Sequence, residues 1–231
     1  MATPSKRWRL AVLILTALAC GAGCDIMTMP YFIFNRWCGK DSRQPPELLQ
    51  LASEDKDKEV KVVILAYAGL ESRPELITAD RDLTTLLTQQ LQRRFKEAKE
   101  KVTIVSPSQV QHFKDTHPNW YMDLQETGKR FDADYLIYLQ VESLSLYEVG
   151  SHNTLYHGRA EIEVSALDLH KPDDIPLTKS YRAEFPQGRP VPADDSNPRM
   201  FQQDFFNHVG KDISRYFASY DFEELHDDFG L

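Results

Sequence analysis

The sequence predicts an α+β domain in which helices cover one face of a mixed β-sheet. Three observations support this fold class. A continuous run of β-branched and apolar residues at 60–68 is typical of a buried strand. Apolar residues recur at helical spacing over 79–99 and again from Phe201 to Tyr220. Apolar and polar residues alternate over 156–168 and 178–185, which indicates strands with one packed face and one solvated face.

The predicted elements follow the chain in the order β-α-β-α-α-β-β-β-α. The strands are expected at 60–68, 102–105, 135–146, 156–168 and 178–185. The helices are expected at 79–99, from Ser106-Pro107 to Pro118, at about 120–130, and from 201 to 220. The last three strands are consecutive, so we expect them to form an antiparallel meander.

The N-terminus has the composition of an export signal. Lys6, Arg7 and Arg9 precede an uncharged apolar run from Leu10 to Ala19. This run of about ten residues suits a signal peptide and is too short for the roughly 20 residues that span a bilayer. It ends in small residues and cysteines, Ala-Leu-Ala-Cys-Gly-Ala-Gly-Cys over 17–24.

This ending resembles a bacterial lipobox. The resemblance implies that a cysteine thiol receives a diacylglycerol, that the chain is cut before it, and that further acylation with a chain such as palmitate follows. Two or three acyl chains anchor stably, because each buried CH₂ contributes about 0.8 kcal/mol. Cys24 and Cys20 are both candidates, with Cys24 preferred. An ordinary secretory signal and an uncleaved anchor are the alternatives.

The domain organisation follows from this interpretation. Residues 1–23 would be the signal peptide, 24–58 a membrane-proximal tether and linker, and 59–231 a single α+β domain. Pro45-Pro46 and the charged run at 54–58 support the linker assignment. The expected location is the cell envelope, with the domain lipid-anchored and facing the periplasm.

The charge balance excludes some partner classes. The chain has a net charge of −8, and without the three basic residues of the predicted signal peptide it is −11. This argues against nucleic acid, which requires a basic surface. No polybasic stretch is present to hold anionic lipid, so membrane binding would depend on the acyl chains. Whether Cys38 pairs depends on which other cysteine is lipidated.

Four segments resemble a group of bacterial envelope domains. They are the strand at 62–65, the helix at 83–95 leading to Val-Thr-Ile-Val-Ser at 102–106, Phe-Asp-Ala-Asp-Tyr-Leu-Ile at 131–137, and Gly-Arg-Ala-Glu-Ile-Glu-Val at 158–164 followed by Asp168. The group includes the N-terminal domain of the Tol-system translocation protein, the penicillin-binding-protein activator lipoproteins and the soluble part of the curli-assembly lipoprotein. The resemblance implies a domain that binds another envelope protein.

The sequence contains no recognisable catalytic or metal-binding motif. There is no His-Glu-x-x-His, no Cys-x-x-Cys and no glycine-rich phosphate loop. Asp132 and Asp134 are close enough in sequence to form a carboxylate pair, but turn and cap hydrogen bonds are the simpler interpretation. His152 and His157 are similarly interpreted as solvated. We therefore expect no enzymatic activity, no cofactor and no metal.

Five residues are predicted to contact a protein partner. Trp120 and Tyr121 follow Pro118 and are candidates for an aromatic contact, with a position at the edge of the core as the alternative. The other three are the polar residues Arg159, Glu161 and Glu163 on the solvated side of their strand. The alternative functions are a carrier of lipid or small ligands, which would need an apolar cavity, and a hydrolase with a site assembled from scattered residues.

Overall fold

The structure is a computed structural model that describes residues 43–53, 58–69, 76–171 and 173–221. The chain divides into two compact units, Met1–Arg43 and Gln44–Leu231. The description below concerns the second unit. Its first helices and strands alternate along the chain, and its longest strands follow one another.

The helices and strands have the following bounds. The α-helices are α1 (Ala79–Ala98), α2 (Pro107–Thr116), α3 (Leu124–Arg130) and α4 (Pro198–Ser214). The strands are β1 (Arg43–Gln44), β2 (Val60–Ala68), β3 (Val102–Ile104), β4 (Tyr135–Tyr147), β5 (Leu155–Asp168), β6 (Leu177–Phe185), β7 (Val191–Pro192) and β8 (Tyr220–Asp221). Short 3₁₀ turns lie at Trp120–Met122 and Ala193–Asp195.

The central sheet is mixed, in the order β3-β2-β4-β5-β6, with β7 beside the start of β5. β2 pairs in parallel with β3 and β4, and the β4–β5, β5–β6 and β5–β7 pairs are antiparallel. The predicted α+β class with a mixed sheet is confirmed. The predicted order is incomplete, because it lacks β1, β7 and β8. A two-residue strand carries no hydrophobic periodicity, so the sequence pattern gives no signal for it.

The larger core lies between the sheet and helices α1 and α4. Leu83, Leu87 and Leu91 of α1 are buried against the sheet, as is Phe205 of α4. The two helices also contact each other, and the buried Arg94 Nε donates a 2.6 Å hydrogen bond to Ser214 Oγ. Burial of the apolar stripe, rather than helix propensity alone, holds α1 in place.

A second core lies on the opposite face of the sheet. Val63 and Leu65 of β2 point to this side and are buried with Val110 of α2 and Trp120. Leu124 of α3 packs against the same cluster. The prediction of helices on one face is therefore wrong: α1 and α4 cover one face, while α2 and α3 cover the other at its β2–β4 end. A strand that is apolar on both sides, as β2 is, needs cover on both faces.

Part of the predicted linker packs on the domain. Leu51 is 1% exposed and belongs to the larger core. The amides of Glu47 and Leu48 donate hydrogen bonds of 3.1 and 3.0 Å to the carbonyls of Arg215 and Tyr216. Residues 44–53 therefore belong to the compact unit, whose boundary lies before Gln44 rather than at Glu59. The nearby prolines and charged residues are typical of a linker, so the sequence pattern does not reveal that a few apolar residues of this segment pack on the domain.

Candidate protein-binding surfaces

The first candidate surface is the open sheet face, defined as the side of β4, β5 and β6 opposite α1 and α4. On β5, Arg159, Glu161 and Glu163 alternate with buried residues and lie on this face, as their spacing predicted. Their neighbours on β4 are Ser145, Ser143 and Gln140, and on β6 they are Glu184, Arg182 and Ser180.

Most charges on the open sheet face are paired within the sheet. An Arg159 guanidinium nitrogen lies 2.6 Å from Glu148 Oε2, and Arg182 Nε lies 3.0 Å from Glu161 Oε1. Among the described residues, Glu163 has no ion-pair partner. A partner that approached this face would therefore compete with existing ion pairs at Arg159 and Glu161. Exposed pairs of this kind contribute only about 0–1 kcal/mol each, so the competition is weak.

His157 links three strands at one end of the open sheet face. Its side chain is 5% exposed and lies between Glu148, which accepts a hydrogen bond from Nδ1, and Glu184, whose Oε1 is 2.8 Å from Nε2. The hydrogen bond from His157 and the charge of Arg159 hold the pKa of Glu148 below its ordinary value. His157 is thus part of a buried polar cluster and not the solvated histidine that the sequence predicted.

The second candidate is the aromatic surface, defined by Tyr67, Tyr121 and Met122. Tyr121 is 39% exposed and its ring centroid lies 5.1 Å from that of Tyr67, which is 37% exposed. Met122 is 72% exposed. Trp120 lies beneath them, with its ring centroid 6.3 Å from that of Tyr67. The exposed position predicted for the aromatic pair is therefore correct for Tyr121.

Trp120 itself is a core residue. It is 7% exposed, contacts Tyr138 edge-on at 6.3 Å, and has Lys114 Nζ 5.1 Å from its ring centroid. Of the two positions considered for Trp120, the structure therefore shows the one in the core, while its contact with a partner stays a prediction. The residues that bury Trp120 are distant in sequence or on the next helix, so its neighbours along the chain give no indication of burial.

A groove of about 430 Å³ adjoins the aromatic surface. Phe113, His117 and Trp120 are among the residues that line it, and Phe113 stacks on His117 with centroids 4.2 Å apart. Met122, Glu126 and Arg130 also line it, and the last two form an ion pair of 2.6 Å. Aromatic side chains beside charged ones are also found where the core of a protein interface meets its polar rim.

The carboxylates that the sequence singled out are structural. Asp134 accepts a 2.7 Å hydrogen bond from the Lys61 amide and a 2.7 Å bond from His170 Nε2. Partial burial favours its neutral form, but the bonds from Lys61 and His170 outweigh this effect and hold the pKa of Asp134 below its ordinary value. Asp134 thus ties β4 to β2, while Asp132 occupies a left-handed position with a φ of 52°.

The described part of the chain contains no group of three or more His, Cys, Asp or Glu side chains placed to hold a metal ion. His152, the other member of the predicted histidine pair, lies in the β4–β5 turn with a φ of 52°. Sequence reasoning missed Tyr67, Met122 and Glu148. The only signal for Tyr67 in the sequence was its position at the end of an apolar strand. The only signal for Met122 was its position beside Trp120-Tyr121.

The predicted lipidation sites, Cys20 and Cys24, and the unassigned Cys38 lie outside the described residues. Across 43–53, 58–69, 76–171 and 173–221, no helix combines the length and apolar character needed to cross a membrane.

No family model and no curated protein matches the chain. Several solved structures are similar in part, among them the following three. The PelC dodecamer from Paraburkholderia phytofirmans is 12% identical, with a TM-score of 0.39 over 76% of this chain and 95% of that one. The hypothetical protein CT253 from Chlamydia trachomatis is 12% identical, with a TM-score of 0.43 over 69% and 98% of the two chains. Lipoprotein GNA1162 from Neisseria meningitidis is 9% identical, with a TM-score of 0.37 over 67% and 98%. At these values the likenesses establish neither a family nor a function.

Proposed function

We propose that the chain is a membrane-anchored envelope lipoprotein whose domain binds another envelope protein and catalyses no reaction. The observation that carries the proposal is the aromatic surface. Tyr67, Tyr121 and Met122 expose apolar area next to a groove that Phe113, His117 and Trp120 help to line. Adjoining exposed apolar side chains mark interaction sites more often than scattered ones do.

The composition of the aromatic surface suits a protein partner. Tyrosine is enriched among interface residues that dominate binding energy, and methionine adapts its shape to the surface it meets. Trp120 supports both tyrosines from below through ring contacts, so their rings are held in place before a partner arrives. This preorganisation lowers the entropy lost on binding.

The open sheet face would contribute the outer part of the same interface. Arg159 and Glu161 already have ion-pair partners in this chain. We therefore expect these two residues to affect the rate of association and its dependence on salt rather than the binding energy. Glu163, which has no ion-pair partner in the described residues, is the residue on this strand best placed to meet a basic side chain.

The absence of catalysis is proposed from the roles that the titratable groups already have. Asp134 and His170 join the ends of β4 and β5, and Glu148, His157 and Glu184 join β4, β5 and β6. Each of these bonds holds neighbouring strands together. Among the described residues, none of these side chains hydrogen-bonds the side chain of a serine, threonine or cysteine, the pairing that activates such a nucleophile.

The binding proposal is tested by affinity capture of the lipidated protein from native membranes. We expect Tyr121→Ala and Met122→Ser to lose the captured partner. The matched control is Met200→Ser, since Met200 is 63% exposed at the start of α4, away from the aromatic surface. Equal capture by all three variants would exclude the aromatic surface as the binding site.

The anchor is tested separately by intact mass of the mature protein. The expected product begins at Cys24 or Cys20 and carries the mass of a diacylglycerol with an additional acyl chain. Replacing the modified cysteine by serine should release the protein from membranes. A mature chain without lipid on either cysteine would refute the anchor while leaving the binding proposal open.

A further inference from the structure

The strand β6 forms one end of the central sheet, so its outer side is an edge. β6 pairs with β5 over nine consecutive residues without an irregularity, from Leu177 opposite Ala166 to Phe185 opposite Gly158. The strand at the other end of the sheet order, β3, is three residues long. β6 also contains no proline, a residue that keeps edge strands from pairing. A long and regular edge of this kind is suited to pairing with a further strand.

The main chain of alternate β6 residues is directed away from the sheet. The Leu169 amide donates a 2.9 Å hydrogen bond to the carbonyl of Asp134, just before β4. Because these directions alternate along a strand, the odd-numbered residues of β5 from 163 to 167 bond to β4, and the even-numbered ones from 162 to 166 bond to β6. Their partners on β6 are residues 177, 179 and 181. The outward main-chain groups of β6 are therefore those of Thr178, Ser180, Arg182 and Glu184.

These four outward residues are accessible. All four are exposed, whereas Tyr181 and Ala183 between them are buried in the larger core. Within the described part of the chain, no other segment forms main-chain hydrogen bonds with 178–184 besides β5. Exposed amides and carbonyls of an edge strand bond either to water or to a strand that pairs with them.

β6 is complementary to a second copy of itself when the two strands run antiparallel. If Tyr181 lies opposite Tyr181 of the second copy, all nine residues overlap. In this register Thr178 lies opposite Glu184, and Ser180 lies opposite Arg182. Each of these facing pairs exchanges two main-chain bonds, which gives about eight bonds in total. No like charges are opposite each other, whereas a register centred on Arg182 would place two arginines together.

The same register covers an exposed apolar side chain at each end of the paired strands. Leu177 is 46% exposed and shares a face of β6 with the buried Tyr181. Phe185 lies on that face at the other end of β6, half-buried against the larger core. Antiparallel pairing about Tyr181 brings Leu177 of each copy opposite Phe185 of the other. A second copy supplies both contacts at once, because a twofold axis repeats every contact.

From this geometry we propose that two copies of the chain pair through β6, antiparallel and centred on Tyr181, and so form one continuous sheet across a twofold axis. This self-association goes beyond the proposed function, since it assigns a second surface and a second copy of this chain as its occupant. β2, which carries Tyr67, is separated from β6 by β4 and β5. The aromatic surface of each copy therefore stays open, and the dimer presents two of them.

Native mass spectrometry of the full mature chain in detergent, over a dilution series, counts the chains in each complex. We expect a dimer in the wild type. Ser180→Pro should raise its dissociation constant roughly tenfold or more, because proline removes an outward amide while the bonds to β5 remain. The matched control is Ser180→Ala, which keeps the main chain unchanged and should dimerise like wild type.

Thr178 tests the register of the two strands. Thr178→Lys would place a positive charge opposite Glu184 of the second copy, and Thr178→Glu would place a negative charge there. Both variants lose the same 2.9 Å hydrogen bond between the hydroxyls of Thr178 and Ser165, so they are matched within the chain. Because symmetry repeats the contact, we expect Thr178→Lys to dimerise about tenfold more tightly than Thr178→Glu at low salt.

Several outcomes would overturn pairing through β6. One is a wild-type chain that stays monomeric throughout the dilution series. Another is a dimer with the same dissociation constant in Ser180→Pro, Ser180→Ala and wild type. If circular dichroism shows that Ser180→Pro does not fold, the Thr178 variants decide, and equal dissociation constants for the two would overturn the pairing. A dimer that is lost in Tyr121→Ala and kept in the β6 variants would place self-association at the aromatic surface instead.

Discussion

Gly158 of β5 packs directly against the Phe205 ring of α4, and its replacement by alanine tests the larger core. A Cβ atom at Gly158 would lie 2.7, 2.8 and 2.9 Å from three carbon atoms of the Phe205 ring. Ordinary contacts between carbon atoms are about 3.5–4.0 Å, so the ring would have to retreat by about 1 Å. Phe205 is fully buried and packs on Phe206 and Phe185, which leaves it little room.

Two effects of Gly158→Ala oppose each other. Overpacking of this kind costs about 1–3 kcal/mol. Replacing glycine in a strand returns about 0.5–1 kcal/mol, because the unfolded chain loses less entropy on folding. We therefore expect the free energy of unfolding to fall by about 1–2 kcal/mol. For a domain of this size each kcal/mol corresponds to roughly 2–4 °C in melting temperature.

Urea denaturation of Gly158→Ala measures the effect, with Gly69→Ala as the control. A Cβ at Gly69 would lie 3.8 Å from Tyr67, an ordinary contact, so this variant should remain close to wild type. Combining Gly158→Ala with Phe205→Leu should cost less than the sum of the two single changes, since the smaller side chain vacates the space. A Gly158→Ala variant as stable as wild type would refute the packing assigned to β5 and α4.

Three further predictions concern other parts of the domain. Leu51→Ala should lower the free energy of unfolding by about 2–4 kcal/mol in urea denaturation, because Leu51 is buried in the larger core; an unaffected variant would return residues 44–53 to the linker. Trp120→Ala should cost about 3–5 kcal/mol, whereas Tyr121→Ala should have a much smaller effect on unfolding. Asp134→Asn should destabilise at neutral pH, and the difference from wild type should shrink as the pH falls below about 4. The stability due to the lowered pKa of Asp134 is present at pH values above the pKa of this carboxyl in the unfolded chain, and it disappears as the carboxylate of the folded protein is protonated. A difference in stability between Asp134→Asn and wild type that does not vary with pH would therefore contradict this assignment.

The sequence predicts the elements whose apolar residues are periodic. α1 was expected at 79–99 and lies at Ala79–Ala98, since its leucines repeat at helical spacing. The inward positions of β5 follow equally directly, and Ala160, Ile162 and Val164 are all buried. In both cases one face of the element is buried, and this sets the spacing of its apolar residues. The local sequence is therefore enough to predict the element and its buried face.

The rest depends on contacts between distant residues. Trp120 is buried by Tyr67 and Tyr138, which reach it through the parallel pairing of β2 and β4. The pairing of Arg159 with Glu148 depends on the irregular register between Val141 and Tyr147, which no local pattern encodes. The outward residues of β5 were therefore predictable from local alternation, whereas the ion pairs of that face and the burial of Trp120 beneath Tyr67 were not.

The central claim, that the aromatic surface binds another envelope protein, is tested most directly by photo-crosslinking in intact cells that produce the full chain. A benzophenone amino acid replaces Tyr121 in one sample and Lys96, an exposed residue near the end of α1, in the control. The account predicts a discrete protein adduct from position 121 that is absent from position 96. No adduct from position 121, or the same adducts from both positions, would contradict it.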